Sequence, residues 1–288
     1  RFYPRGIEGM RSMADGEHYT VLENDADIVS YDYKTGIARQ VVFSGSQSQL
    51  PELARINDYA FSSNEQVLLL TTSKTKRYRH SFEAVYVVVD RRTGKAELLE
   101  PEGKQMMASL SPDGTRVAWV RNNNLYCKNL EDGSIRQITT DGAVNSIING
   151  APDWVYEEEF ALEQAYAWSP DSRKIAFIRF DEHAVTELSM TMYQDLYPTE
   201  NTFKYPKAGT ANSTVEVRVA DLVTGRTVVM NTGTETDQYI PRICFTRSSD
   251  TVCIIRLNRM QNQVDVLFAG TADGRSRAAF TEKNSRYI

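Results

Sequence analysis

The sequence predicts an all-β fold, specifically a β-propeller built from four-stranded antiparallel blades. Two turn signatures alternate along the chain in a fixed order, and the pair occurs five times at spacings of about 50 residues. Runs rich in Val, Ile, Leu and Tyr lie between and after the turns, as strands of stacked sheets require. Two turns with strands around them give a four-stranded meander, which is one propeller blade. A β-sandwich would not require the same two signatures in the same order five times.

The first signature is a short polar turn that precedes an apolar run, as in Ser111-Pro112-Asp113-Gly114 before residues 117–120. The second is an acid-and-glycine turn, as in Asp32-Tyr33-Lys34-Thr35-Gly36. Such turns supply the positive φ and the local side-chain hydrogen bonds that hairpins need. The five pairs of turns predict blades at about residues 13–43, 60–99, 109–139, 168–231 and 243–280.

Composition narrows the class of protein. The chain has 288 residues, of which 41% are hydrophobic and 25% charged, so it has ample material for a core. Its net charge of −5 argues against a nucleic-acid partner. An odd number of cysteines without a CxxC pattern argues against a metal site. Cys244 and Cys253 flank a predicted turn at residues 248–250, so they either pair across it or are small buried apolar residues of strands.

Two segments interrupt the repeat. The first, residues 141–163, lies between the third and fourth predicted blades. Within it, Pro152 and Asp153 predict the start of a short helix over residues 152–163, with the acids Glu157, Glu158 and Glu159 near its N-terminus. The second, residues 181–212, is inserted into the fourth blade. Its exposed-looking aromatic and apolar residues predict a contact surface.

Three motifs resemble the dipeptidyl peptidase IV family of serine exopeptidases, and the resemblance covers essentially the whole chain. Residues 149–159, with Asp153-Trp154-Val155-Tyr156 before the three glutamates, resemble the family's glutamate motif. Tyr205-Pro206-Lys207-Ala208-Gly209 resembles a segment just downstream. Arg79-His80-Ser81-Phe82 resembles its arginine-bearing motif.

This resemblance implies a function and a set of site residues. Family members release N-terminal dipeptides with proline or alanine in the second position, and an eight-bladed propeller caps their α/β-hydrolase domain. By position, Glu158 and Glu159 would bind the α-ammonium of the substrate, and Arg79 would contact the carbonyl region of its first peptide unit. The resemblance further implies a bacterial, extracytoplasmic enzyme and a homodimer formed through residues 181–212. We expect no metal and no cofactor.

Elementary chemistry agrees with these roles. An enzyme that removes two residues must measure from a terminus, and an ammonium offers three donors and a positive charge that two carboxylates can satisfy. A guanidinium can hold a carbonyl and a carboxylate together. We expect Glu157 to be structural, Trp154 and Tyr156 to be packing anchors, and the histidines at 80 and 183 to be structural or exposed.

The sequence also departs from the family pattern. It contains no Gly-x-Ser-x-Gly elbow, and its three histidines lie within the propeller repeat. We therefore expect an N-terminal portion with five of eight blades and no catalytic residue, whose activity depends on the hydrolase domain of the same protein. The alternatives are a non-catalytic propeller that binds protein or peptide partners, and an oligopeptidase, which would not need paired carboxylates for a terminal amine.

Overall fold

Antiparallel strands dominate both compact units into which the chain divides. The structure is a computed structural model that describes Gly6 and residues 9–194 and 196–288, so residues 1–5 and 7–8 and Asp195 of the insertion lie outside it. Unit 1 comprises Arg1–Thr75 and Phe82–Val117, and unit 2 comprises Lys76–Ser81 and Ala118–Ile288.

Consecutive strands form the first three sheets. The first sheet has the order β1-β2-β3-β4, with strands Arg11–Ser12, His18–Glu23, Asp27–Asp32 and Ala38–Ser44. The second has the order β5-β6-β7-β8, with strands Ile56–Phe61, Val67–Lys76, Phe82–Asp90 and Ala96–Leu98. The third has the order β9-β10-β11-β12, with strands Met106–Leu110, Arg116–Arg121, Asn124–Asn129 and Ile135–Gln137. Two short 3-10 turns, Gly45–Gln47 and Pro51–Ala54, lie between the first and second sheets in the chain.

The fourth sheet contains the two interruptions. Its strands are β13 (Ile147–Asn149), β14 (Tyr166–Trp168), β15 (Lys174–Asp181), β18 (Thr214–Asp221) and β19 (Thr227–Val229). Helix α1 (Trp154–Phe160) lies in the chain between β13 and β14. The hairpin of β16 (Glu187–Met192) and β17 (Thr199–Lys204) lies between β15 and β18. The fifth sheet has the order β20-β21-β22-β23, with strands Gln238–Phe245, Thr251–Asn258, Gln263–Gly270 and Ser276–Lys283.

The two kinds of repeated turn each have the same hydrogen bonds at several places in the chain. Ser111 Oγ donates to Asp113 Oδ1 at 2.6 Å and accepts from Arg116 N at 2.9 Å. Ser169 makes the same two contacts, with Asp171 and Lys174. In the second kind of turn, a backbone N–H at a positive φ donates to the carbonyl four residues earlier. It occurs at Gly36, Gly94, Gly133, Gly225 and Gly274.

These sheets confirm the predicted all-β, propeller-type class with four-stranded antiparallel blades. The strands begin earlier than the predicted blades, because the turn residues gave the sequence signal and the first strand precedes its turn. The fifth sheet, for example, starts at Gln238 rather than at 243.

The segment carrying the glutamates is part of the fourth sheet, which differs from the prediction of a break between blades. Ile147–Asn149 pairs with one half of β15, and Tyr166–Trp168 pairs with the other half. Helix α1 is therefore an excursion between two short strands that share one edge of this sheet. The excursion begins at Gly150, whose φ of +78° favours glycine. A Cβ added there would also lie only 3.3 Å from the side chains of Leu125 and Val120.

Each unit has its own apolar interior. The core of unit 1 contains Ile28, Leu53, Ile56, Tyr59, Leu68, Leu70, Val87 and Val89. The largest fully buried side chains of unit 2 include Trp119, Leu125, Tyr156, Ile175, Phe177 and Phe180. Within the described residues, no helix has the length and apolar character that a membrane crossing requires.

Candidate functional site

The start of helix α1 is fixed by Asp153, as predicted. Its Oδ1 accepts from Tyr156 N at 2.9 Å, which caps the helix, and its Oδ2 accepts from Ser213 Oγ at 2.6 Å. Burial raises the pKa of Asp153, while the bonds from Ser213 and the backbone oppose the rise. Ala161, in the left-handed conformation, ends the helix, so α1 is shorter than the predicted 152–163.

Tyr156 anchors the helix to the sheets of unit 2. Its side chain is buried, and its Oη accepts from Ile240 N on β20 at 2.9 Å. Its ring contacts that of Phe180 edge to face, with centroids 4.8 Å apart. Arg242 on β20 donates to Phe160 O at 2.6 Å at the other end of the helix. The side chains that follow Tyr156 on the helix therefore project from a rigid base.

Glu157 is buried and binds the loop that carries Arg79. The residue is 1% exposed, and its Oε1 accepts from His80 N at 2.7 Å and from Ser81 N at 2.8 Å. Its Oε2 is buried and has no hydrogen-bond partner among the residues that the structure describes. Within the same loop, Arg77 N donates to Ser81 O, and Tyr78 N donates to Ser81 Oγ. The structural role predicted for Glu157 is therefore to hold the arginine loop, because one of its carboxylate oxygens binds two backbone amides next to Arg79.

Glu158 and Arg79 form an ion pair. Arg79 Nε lies 2.8 Å from Glu158 Oε2, and the two side chains are 70% and 14% exposed, respectively. Both residues belong to unit 2, because its first segment is the loop Lys76–Ser81. The structure therefore brings together two of the three predicted substrate-binding residues.

Glu159 points elsewhere, into a cleft of about 670 Å³. This follows from helix geometry, since adjacent residues project about 100° apart. The tilted rings of Trp154 and Tyr205 form one wall, with centroids 4.3 Å apart. The other residues at the cleft are Val155, Phe160, Pro206, Lys207, Ala208, Tyr239 and Gln261. Trp154 is thus a wall of the cleft as well as a packing residue.

Sequence reasoning missed the contributions of Tyr239 and Gln261 to this cleft. They come from β20 and the β21–β22 turn, and no spacing pattern links them to the helix. Tyr205 and Lys207 belong to a motif that is recognisable in the sequence. Asn212 Nδ2 supports the cleft by donating to Tyr239 Oη at 2.8 Å.

The histidines take structural or exposed positions. His80 is exposed, and its Nδ1 lies 3.9 Å from Glu163 Oε1. His183 pairs with Asp181 at 2.6 Å and contacts Ser146 Oγ at 3.0 Å. Among the described residues, no three His, Cys, Asp or Glu side chains come together as metal ligands would.

The sheets, the acidic helix and the arginine loop define a propeller-type domain with a charged surface site. Residues 62–288 match the family model for the dipeptidyl peptidase IV (DPP IV) N-terminal region. The chain therefore belongs to the dipeptidyl peptidase IV family and corresponds to its N-terminal region.

Relatives with named activities support this membership. A probable dipeptidyl peptidase 4 of Aspergillus clavatus is 33% identical over 259 residues, which cover 84% of this chain and 33% of that protein. A probable dipeptidyl-aminopeptidase B of Chaetomium globosum is 34% identical over 246 residues, covering 77% and 26%. The crystal structure of Porphyromonas gingivalis dipeptidyl peptidase 4 matches with a TM-score of 0.94 and 39% identity, covering 99% of this chain and 41% of that one. The chain thus spans about a third or less of these curated relatives.

Proposed function

We propose that this chain recognises the free N-terminus of peptide substrates in a serine-type dipeptidyl peptidase that releases N-terminal X-Pro and X-Ala dipeptides. In this proposal the chain also gates substrate access. A hydrolase domain of the same protein supplies the catalytic residues, because this sequence contains no nucleophile elbow.

The observation that carries the proposal is the Arg79–Glu158 pair at 2.8 Å on a preorganised base. Helix α1 is capped by Asp153 and anchored by Tyr156, and the arginine loop is bonded to Glu157. A site whose charged groups are already fixed loses less conformational entropy when a ligand binds.

The charges of the site favour a cation. Glu158, Glu159 and Arg79 carry one net negative charge, which one ammonium group would neutralise. The Arg79 pair leaves Glu158 with unused lone pairs, and Glu159 is exposed at the cleft. An ammonium seated between the two carboxylate directions can donate to both.

Arg79 has donors to spare. It engages Glu158 through Nε, and its side chain is largely exposed, so its two Nη groups face solvent or a ligand. A guanidinium is suited to hold a carboxylate on one side and a peptide carbonyl on the other. Arg79 would thus fix the first carbonyl of the substrate while it orients Glu158.

The test is the charge-neutral, isosteric replacement of each acid in the whole protein. Glu158→Gln and Glu159→Gln should each lower kcat/KM for a dipeptidyl chromogenic substrate. A hydrogen bond to a charged group contributes about 1.5–3 kcal/mol, which corresponds to about a 10- to 150-fold loss. Glu163→Gln is the matched control, because Glu163 is an exposed acid just past the same helix. Unchanged kinetics in both site variants would refute the assignment.

The second candidate is a non-catalytic propeller that binds protein or peptide partners. It is favoured by the exposed apolar residues of the insertion, where Tyr193 is 81%, Leu196 is 91% and Tyr197 is 79% exposed. A Gly-x-Ser-x-Gly elbow in the remainder of the protein would favour the enzyme. Its absence would favour the binding module.

We also propose that this apolar surface mediates a homodimer, and that the protein acts outside the cytoplasm. Both proposals rest on the family resemblance. The dimer is further supported by the exposed side chains of the hairpin β16–β17.

A further inference from the structure

Two cysteines of the fifth sheet lie directly opposite each other. Cys244 on β20 and Cys253 on β21 are register partners. Thr246 N donates to Thr251 O at 3.0 Å, so these two residues form a hydrogen-bonded pair at the turn end of the ladder. Hydrogen-bonded and non-hydrogen-bonded pairs alternate along an antiparallel ladder, so the cysteine pair, two pairs away from the turn, is also a hydrogen-bonded one. The Cα atoms of such pairs lie about 5.5 Å apart. Disulfides span Cα separations of about 4.4–6.8 Å, so the Cα spacing of such a pair lies within the range that a disulfide spans.

Their surroundings differ from those of a buried core cysteine. Cys244 is exposed and Cys253 is partly exposed, whereas Cys127 is buried. The interpretation of Cys244 and Cys253 as small buried residues of strands is therefore wrong about their burial, although both residues do lie on strands. Burial raises the pKa of the Cys253 thiol, and the neighbouring Cys244 thiol raises it further. The register places the two side chains next to each other on one face of the sheet, and Cys244 is the more exposed of the two.

The geometry points to a modification site at Cys244 and Cys253, a cross-strand dithiol that closes reversibly into a disulfide. The oxidant is a small-molecule disulfide of the glutathione class. The Cys244 thiolate attacks one sulfur, the small-molecule S–S bond breaks, and one thiol leaves with a proton. The Cys253 thiolate then attacks Cys244 Sγ, and the second thiol leaves. Two electrons and two protons pass from the protein to the oxidant, so the exchange balances.

The bond would lock a strand that supports the glutamate helix. Ile240 and Arg242 on β20 bind Tyr156 Oη and Phe160 O, respectively. The ladder between β20 and β21 is irregular between Tyr239 and Arg242. A covalent link at Cys244, two residues beyond Arg242, fixes the register just past this irregularity. The prediction of the link itself does not depend on the proposed peptidase function.

Peptide mapping tests the proposal directly. The protein is equilibrated with oxidised glutathione, free thiols are alkylated, and trypsin cuts after Arg242, Arg247 and Arg256. We expect peptide 243–247 linked to peptide 248–256, with two hydrogen masses less than their sum, and loss of this species on reduction. Cys127, alkylated after unfolding, is the internal reference for a thiol that stays free.

The variant Cys244→Ser gives the matched control, because it should abolish the linked species while Cys253 becomes alkylated. The oxidised wild type should also unfold at a higher temperature than the reduced wild type, whereas the variant should show no such difference. Recovery of both cysteines as alkylated thiols, or of a lasting glutathione adduct on Cys244 beside a free Cys253, would overturn the proposal.

Discussion

Arg79 Nε lies 2.8 Å from Glu158 Oε2, and the backbone amides that follow Arg79 are bound by Glu157, the residue before Glu158. One short helix thus holds both the side chain and the main chain of the arginine loop. This double attachment makes the loop a part of the candidate site.

Replacing Arg79 should lower the catalytic efficiency while leaving the thermal stability almost unchanged. In Arg79→Ala, Glu158 loses its partner, and the proposed substrate carbonyl loses a donor. We expect kcat/KM to fall about 10-fold or more, as loss of a charged hydrogen bond implies. The Tm should change little, because a pair with a largely exposed partner contributes about 0–1 kcal/mol. Lys76→Ala, which removes a positive charge from an exposed position of the same segment, is the control for loss of charge. A large drop in Tm, with kcat/KM per folded molecule unchanged, would contradict the role of Arg79.

Glu157 should be required for the position of Arg79. In Glu157→Leu, the backbone N–H groups of His80 and Ser81 lose their acceptor, and at the buried Ser81 this loss costs about 1–3 kcal/mol. We expect a lower Tm and a higher KM, because the arginine loop is released. Glu157→Gln keeps a carbonyl acceptor and should recover most of both. If the Leu and Gln variants behaved alike in KM, the loop would not depend on this carboxylate.

The stability of the chain should fall as pH rises, because of Glu182. Burial, with the negative charge of Asp153, raises the pKa of Glu182 to about 7, and Arg77 and Lys204 oppose the rise. The folded state then keeps a proton that the unfolded state loses near its ordinary pKa of 4.5. This contribution to stability is complete below that value and is lost by about pH 7.

The variant Glu182→Gln isolates this effect. It should be more stable than wild type at pH 8 by about 1–3 kcal/mol, and the gain should vanish near pH 4. Denaturant unfolding at the two pH values measures it, with Glu163→Gln as an exposed control. A gain that does not change with pH would exclude titration of Glu182 as the cause.

The hairpin β16–β17 should carry the proposed dimer contact. The double variant Tyr193→Glu/Tyr197→Glu adds charge where two side chains are 81% and 79% exposed, so it should yield a monomer without loss of folding. Deletion of residues 181–212 should have the same effect. Light scattering gives the molar mass. Met260→Glu, which alters another exposed apolar residue, should leave the dimer intact. A dimer that persists in the hairpin variants would place the contact elsewhere.

The sequence predicted those parts of the fold that depend on local chemistry. Asp-x-x-x-Gly turns need a positive φ, so the turns at Gly36 and Gly94 can be recognised from their residue types alone. Pro152 and Asp153 likewise predicted the helix start, because capping is a local interaction. The three-residue strand Ile147–Asn149 is too short to show an alternating pattern, so its place in the fourth sheet was missed.

The candidate site was only partly predictable, because its geometry depends on contacts between distant residues. The motifs identified Arg79, Glu158 and Glu159, but spacing alone could not show that Arg79 contacts only one of the two acids. The acceptor role of Glu157 involves backbone amides of a loop far away in the chain. Backbone donors have no residue signature, so this contact was invisible in the sequence.

The central claim is that Glu158 and Glu159 recognise a free α-ammonium. The most direct measurement is the ratio of kcat/KM for a dipeptidyl chromogenic substrate to that for its N-acetylated analogue, in wild type and in Glu158→Gln/Glu159→Gln. The acetylated analogue lacks the positive charge, so wild type should show a large ratio that collapses toward one in the double variant. A ratio that stays as large in the variant as in wild type would contradict the account.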